Sequence, residues 1–473
     1  MTGIKRFFSY LSICLVVFSC SSKNSKMEDQ TMENTAFTGA PGEIKLMTLD
    51  PGHFHASLVQ KSMYNQVSPT VYVYSKEGSE LDAFLASIDA YNSREDEPTK
   101  WDMEVYTGAD FLQKMIREKK GNVMMTAGNN RDKTQNIKAA VDASINVLAD
   151  KPMAIDTQGF EVLKEAFASA EKNGVLLYDI MTERFEITSM LQKEFSHIPS
   201  VFGELEKGSL EGPAITKESV HHFFKEVSGK PLTRPAWFYD VTQQGAGIVD
   251  VTTHLVDLVQ WEAFPGEVID YEKDIELINA KQWKTAVNPE EFKKSTGLDS
   301  YPDYLEKYLE NGVLNIDSNG EINYKINGIH AKVSVIWNYE APAGSADTHY
   351  SIMRGSKANL VIRQDKKEKY IPELYIEPLA GVDRSDFKKE LDAAVAGLQQ
   401  QYPGIAVSQD GPTGWKVDIP QSYRTGHEAH FREVTEKYLE YLVDGKLPDW
   451  EVPNMITKYY ITTKALEMAQ QGK

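Results

Sequence analysis

Cysteine is almost missing from this chain: 473 residues contain two, Cys14 and Cys20. Both lie in the first twenty positions, so the body of the protein has neither disulfide staples nor thiol chemistry. Surplus positive charge is missing as well. Lys and Arg total 51 against 69 Asp and Glu, a formal net charge of −18. A nucleic-acid binder needs a basic face to meet phosphates, and this chain offers none in bulk. Anionic ligands must therefore be held by local devices, such as loop amides and helix N-termini, rather than by the field of the whole molecule. The apolar run 7–18 is about half the length that a membrane span needs. What remains is an ordinary globular composition, 41% apolar, which excludes collagen, a disordered chain and a disulfide scaffold. The length is enough for two or three domains with a large core.

The first residues read as an address. Lys5 and Arg6 form a positive leader ahead of the apolar run, as in a secretory signal. Val17-Phe18-Ser19-Cys20 resembles a bacterial lipobox with Cys20 as the lipidated residue. The expectation is a signal peptide over 1–19 and a polar tether over 20–42. The mature protein is then exported and lipid-anchored to a bacterial membrane, periplasmic or at the cell surface, with no other membrane contact.

From residue 43 the pattern alternates. Short apolar runs at 44–49, 70–74, 103–106, 123–126, 145–149 and 175–178 read as strands. Between them lie helical stretches such as the one carrying Ile137, Ala140, Val141 and Ser144 on one face. Alternation of this kind predicts a parallel sheet with helices on both faces, over 43–180. Ligands on such sheets bind beyond the carboxyl ends of the strands. The loops at that edge hold Gly52, His53, Phe54 and His55, then Ser75 and Lys76, then Asn129 and Asn130, then Asp150. A dinucleotide Gly-x-Gly-x-x-Gly register laid on Asp50-Pro51-Gly52-His53-Phe54-His55 keeps only its middle glycine, the one that lets backbone approach a pyrophosphate. Lys76 and Glu77 put both charges at the end of the second strand, so the choice between NAD and NADP stays open.

Two later segments carry chemistry. In Asp150-Lys151-Pro152 the proline restricts the lysine to extended backbone, which aims a long cation at the mouth of the sheet. A lysine so placed can hydrogen-bond a substrate hydroxyl and assist proton movement. In Gly245-Ala246-Gly247-Ile248-Val249-Asp250-Val251-Thr252-Thr253-His254 the aspartate and histidine are four apart. On a helix both would share a face, giving a general base with an orienting carboxylate.

Asp150-Lys151-Pro152 resembles the Glu-Lys-Pro motif of the Gfo/Idh/MocA oxidoreductases, the family of glucose–fructose oxidoreductase and inositol dehydrogenase. Residues 140–147 have the spacing of the Ala-Leu-x-Ala-Gly-x-His-Val segment that precedes it there. Residues 245–257 are similar to the family's Gly-Gly-Gly-x-x-x-Asp-x-x-x-His-x-x-Asp, with Ala246 inside the glycine run and one residue fewer before the aspartate. Residues 352–360 resemble a strand turn of its second domain. Other departures are Asp150 for Glu, His55 for the third glycine, and Lys133 where the family has a histidine.

The resemblance implies a Rossmann-type parallel sheet followed by an α/β domain over 181–473 with an open, mostly antiparallel sheet. Insertions are expected near 288–327, as a rim over the site, and near 379–423. A final helix from His427, with Phe431, Val434, Tyr438 and Leu442 on one stripe, is expected to dock on the sheet. The resemblance further implies NAD or NADP, tightly bound in an exported protein. The Gly52–His55, Ser75–Lys76 and Asn129–Asn130 loops and Asp150 would form its site. It implies a carbohydrate or polyol substrate, with His254 as base, Lys151 holding the hydroxyl and Asp250 orienting. Subunit pairing through the open sheet is expected. Two other functions fit the same residues: a glycosidase-like elimination through transient oxidation by bound NAD, and a carbohydrate-binding protein without turnover. The histidine pairs His53/His55, His221/His222 and His427/His430 have metal-like spacing. With no thiolate or Glu cluster beside them, no metal is expected; His53 and His55 read as lying near the cofactor phosphates or substrate, and His430 as a polar wall of the site.

Overall fold

The computed structural model describes residues 36–227, 230–342, 345–412 and 414–472. The leader and Cys20 lie outside the described residues.

The first sheet contains β1 (Leu46–Leu49), β2 (Thr70–Ser75), β3 (Asp102–Thr107), β4 (Val123–Thr126), β5 (Asn146–Asp150) and β6 (Leu177–Ile180). All neighbours are parallel, and the order is β3-β2-β1-β4-β5-β6. The helices between them are α1 (His55–Leu58), α2 (Ser79–Ser93), α3 (Phe111–Glu118), α4 (Lys133–Asp142) and α5 (Thr157–Asn173). β1, β4, β5 and β6 are buried at every position, as central strands covered on both faces must be. The chain order reverses between β1 and β4, which opens a crevice at their carboxyl ends. α5 shows how local chemistry sets the boundaries. The Asp156 side chain accepts from the Gly159 N–H at its start, and Gly174 closes it at φ 63°.

α6 (Ile187–Ser196), β7 (Ile215–Phe224) and the small hairpin of β8 (Glu226–Val227) and β9 (Lys230–Pro231) lead to α7 (Thr252–Ala263). β10 (Ile275–Val287), α8 (Pro289–Thr296), the two-residue β11 (Leu309–Glu310), β12 (Val313–Ile326), β13 (Ile329–Glu340), β14 (Thr348–Arg354), β15 (Ala358–Arg363) and β16 (Glu373–Pro378) follow. α9 (Arg384–Leu398), β17 (Ala406–Asp410), β18 (Gly414–Asp418), α10 (His427–Asp444) and α11 (Glu451–Gln470) complete the chain. The second sheet runs β10-β12-β13-β7-β14-β15-β16-β18-β17, with β11 paired to β12. It is antiparallel except between β13 and β7. Helices α6, α7 and α11 pack against it.

Three sequence expectations are corrected here. Residues 313–326 are not rim; they form a long strand paired on both sides, to β10 and β13. Its polar positions Asn319 and Asn323 are buried and hydrogen-bonded within the sheet, which disguised it as loop. The closing helix is two helices. α10 brings Phe431, Val434, Tyr438 and Leu442 into the core of the first sheet, with Tyr438 stacked on Tyr178 of β6 at 5.9 Å. Asp250 does not share a helix with His254. α7 begins at Thr252, and Asp250 sits in the turn before it.

Candidate active site

The two signature segments meet. Lys151 directly follows β5, and its Nζ lies 2.6 Å from Asp250 Oδ1, with side chains 10% and 6% exposed. Asp250 Oδ2 accepts from Gln244 Nε2 at 3.1 Å. Asp250 therefore aims the lysine and not His254, a second correction to its expected role. The turn that delivers Asp250 needs glycine. A Cβ on Gly247 would lie 1.7 Å from the Ser318 carbonyl oxygen of β12, and Gly245 sits at φ +95°. The alanine at 246 is tolerated and buried.

His254 projects from the first turn of α7. Its Nδ1 is buried with no hydrogen-bond partner among the described residues. Burial, then the Lys151 charge, holds the ring well below the usual histidine range. At neutral pH it is an uncharged imidazole with a free nitrogen, the form a general base requires.

The other expected site residues line the same edge. Gly52 faces Gly128 across the crevice, where a Cβ on Gly52 would lie 3.5 Å from Gly128 Cα and 3.5 Å from the Trp237 ring. A Cβ on Gly128 would lie 2.2 Å from the Asp50 carbonyl oxygen. The His53 N–H donates to the Ala127 carbonyl at 3.1 Å. The loops after β1 and β4 thus form a cradle bare of side chains. Phe54 packs edge-on against His55, with ring centroids 4.4 Å apart. Ser75 donates to Asp50 Oδ1 at 3.5 Å, and Lys76 stands 5.4 Å from the Phe111 ring. Asn129 Nδ2 donates to Gln243 Oε1 at 2.7 Å, and Asn130 Nδ2 to the Gln244 carbonyl at 2.6 Å. Both amides therefore tie the β4 loop to the segment before Asp250, while Asn130 Oδ1 remains buried without a partner among the described residues. The glycine cradle, the cation at the end of β2 and this orphaned oxygen fit a dinucleotide laid across the edge. The third fingerprint position does not contribute to that fit, because the His55 ring is turned to Asp150.

His55 Nδ1 lies 3.1 and 3.0 Å from the two Asp150 oxygens, and His53 Nδ1 lies 3.6 Å from Oδ2. Burial leads in holding both rings well below the usual range. Lys133, at the histidine departure noted above, is buried and donates from Nζ to the Asp150 carbonyl at 3.1 Å. Burial pushes it down to about 8.

Sequence reasoning missed several neighbours. Glu183 follows β6, one strand from Lys151, and burial raises its carboxyl to about 7. Gln243 and Gln244 precede the glycine turn and were legible only as polar residues. Asp347 gathers His221, His222 and Lys225, with His221 Nδ1 at 3.0 Å and His222 Nδ1 at 3.1 Å. The His221/His222 pair is thus occupied by a carboxylate. His430 is buried and bonds Thr425, while the His427 ring centroid stands 5.4 Å from that of His55.

Residues 191–470 match the family model described as "Putative oxidoreductase C terminal domain". A crystal structure of an oxidoreductase from Parabacteroides merdae is 60% identical with a TM-score of 0.91, covering 93% of this chain and 100% of that one. A levoglucosan dehydrogenase in complex with NADH and levoglucosan shares the fold at 12% identity and TM-score 0.57, covering 91% and 98%. A biliverdin reductase from Synechocystis, in complex with biliverdin and NADP+, shares it at 11% identity and TM-score 0.55, covering 90% and 99%. No curated protein matches.

Proposed function

This chain belongs to the Gfo/Idh/MocA family of oxidoreductases, and on that premise we propose that it moves hydride between NAD(P) and a hydroxyl-bearing carbon of a sugar, polyol or glycoside. The residues that would hold the dinucleotide are Gly52 with the backbone of the β1 loop, Ser75 and Lys76, and Asn130. The nicotinamide ring supplies the hydride acceptor when bound. Lys151 Nζ donates to the substrate oxygen and stabilises negative charge that builds there. Asp250 holds that ammonium in place from one side, so the lysine needs little reordering when substrate arrives. His254, neutral and with Nδ1 unbonded, accepts the hydroxyl proton. The observation that carries this reading is the Lys151–Asp250 pair beside an unpartnered, uncharged His254. The pair bridges the two sequence motifs over 99 positions and offers a substrate oxygen a fixed donor, while the neutral His254 offers the base.

Export as a Cys20-anchored lipoprotein is part of the proposal, and it favours a cofactor kept bound from one turnover to the next.

The test combines mass spectrometry of cofactor released from denatured protein with reduced-cofactor absorbance on a panel of sugars, polyols and glycosides, levoglucosan among them. His254→Ala lowers kcat by about 100-fold or more, the span expected for a general base, while substrate still binds in a calorimetric titration. Unchanged turnover in that variant removes the histidine from proton transfer. No dinucleotide recovered and none bound on addition removes the hydride reaction.

A further inference from the structure

His53, His55 and Asp150 are placed as metal ligands are placed. Their donor atoms all lie within 4.8 Å of one another, and the distances to the Asp150 carboxylate are 3.0 Å from His55 Nδ1 and 3.6 Å from His53 Nδ1. Two ligands bonded at ~2.0–2.1 Å to one ion, at angles between square and tetrahedral, stand roughly 3.0–3.4 Å apart. The two spacings to Asp150 lie within a few tenths of an ångström of that range, and the third pair of donors lies within 4.8 Å. The protonation pattern agrees. The His55 backbone N–H points at His53 Nδ1 at 3.4 Å, a contact that only an unprotonated nitrogen accepts. His53 Nδ1 is therefore unprotonated, and its single lone pair must leave this long contact to turn to an ion shared with Asp150 Oδ2.

The surroundings are built for fixity. His55 and Asp150 are buried. The Asp150 backbone is held by the Lys133 ammonium, and the His55 ring is braced by Phe54 at 4.4 Å and Phe431 at 4.8 Å. Such second-layer support is what orients metal-binding imidazoles. It also gives a physical reason for the broken glycine fingerprint. Where a side chain replaces the third glycine, its ring is spent on Asp150, and local rules fail most often where function requires it.

We infer that His53, His55 and Asp150 bind one divalent first-row transition-metal ion, of the zinc type, between the β1 loop and the end of β5. Two imidazoles and one carboxylate suit zinc, manganese, iron or cobalt and disfavour magnesium. Three protein ligands leave at least one position open for water or a ligand oxygen. Lys151 follows Asp150 in the chain and its charge acts on both histidines, so an ion with an open position there would favour an oxygen-bearing anion or hydroxyl. This assignment does not rest on hydride transfer and would stand in a protein that bound no nicotinamide.

The test is metal binding by the full mature chain after chelator treatment. Added Co2+ is followed by its visible absorption, and Zn2+, Mn2+ and Mg2+ by competition with a chromophoric chelator. One Co2+ per chain with a visible band, displaced by Zn2+ and not by Mg2+, is the expected result. His53→Ala, His55→Ala and Asp150→Asn, each checked for folding by circular dichroism, weaken binding by more than about 100-fold, since even supporting residues cost 10- to 100-fold. No visible band in the wild-type chain overturns the site, and so does undiminished binding in all three folded variants. NADH titration of the metal-free wild-type chain, read by tryptophan quenching, runs alongside. NADH binding without metal binding sinks the ion alone, and metal binding without NADH binding sinks the hydride reading alone.

Discussion

Lys458 sits at 0% exposure in α11 and joins both halves of the molecule. Its Nζ lies 2.7 Å from Asp179 Oδ2 at the end of β6 and 2.9 Å from Asp257 Oδ1 of α7, the helix that carries His254. Lys458→Met keeps the volume and deletes the charge. Asp257 would keep its two-pronged partner Arg184, at 2.7 Å from Nε and 2.7 Å from Nη2. Asp179 would not be so provided for. Among the described residues, Tyr459 OH at 3.0 Å would be its one remaining side-chain donor, and its Oδ1 already has no partner there. A fully buried carboxylate stripped of its cation costs about 3–5 kcal/mol. At roughly 2 cal/mol/K per residue, a folded body of this length loses about 1 °C of Tm per kcal/mol, so the expected drop is about 3–5 °C. Adding Asp179→Asn removes the stranded charge, and the double variant should regain most of the loss. The assay is urea unfolding and thermal melting of wild type, single and double variants, followed by circular dichroism. The sign with pH is fixed as well. Burial pushes the Asp257 carboxyl up, but Arg184 and Lys458 outweigh it and hold the group well below its ordinary 3.8. A depressed carboxyl adds stability that is full above the unfolded value and fades as pH falls through and below it. The wild-type advantage therefore shrinks below about pH 4. A Lys458→Met protein within about 1 kcal/mol of wild type at pH 7, or a double variant no better than the single, refutes the claim that this lysine pins the two sheets together.

Gly247→Ala would drive a methyl group to 1.7 Å from a backbone oxygen of β12, so the turn must move and Asp250 with it. The expected result is little folded protein or, in what folds, loss of turnover, checked by soluble yield and activity. Glu183 is raised by burial to about 7 from 4.5, so the folded chain holds its proton more tightly than the unfolded one. Its contribution to stability is present below pH 4.5 and lost as pH rises to about 7. Glu183→Gln should flatten that part of the stability curve and remove an inflection near pH 7 in kcat/KM; an unchanged inflection assigns it elsewhere. Cys20→Ser should release the protein from the membrane fraction and abolish labelling by a palmitate analogue, and membrane-bound, labelled variant protein refutes the lipobox reading.

The first sheet was legible because its central parallel strands are short, mostly apolar and spaced by helices. The runs at 44–49, 123–126 and 145–149 could hardly be anything else. Lys151 was legible too, since a proline fixes the residue before it whatever the rest of the chain does. β12 was hidden for the opposite reason: Ser318, Asn319 and Asn323 are polar, yet they are buried because neighbouring strands satisfy them. Asp250 and His254 were placed on one helix by their spacing, while the glycines that the turn requires delay the helix until Thr252.

By itself, then, the sequence determined the alternation that builds a parallel sheet, the loops gathered at its carboxyl edge, and the residues Lys151, Asp250 and His254 as chemically distinctive. Those follow from period, burial and local backbone restriction, which are properties of neighbours in the chain. Only the tertiary structure decided whom each residue serves. It gave Asp250 to Lys151, left His254 Nδ1 without a partner among the described residues, turned His53 and His55 onto Asp150, and set Lys458 between Asp179 and Asp257. Partners separated by dozens to hundreds of residues meet through packing alone, and charge, tautomer and ligand geometry are set at that meeting.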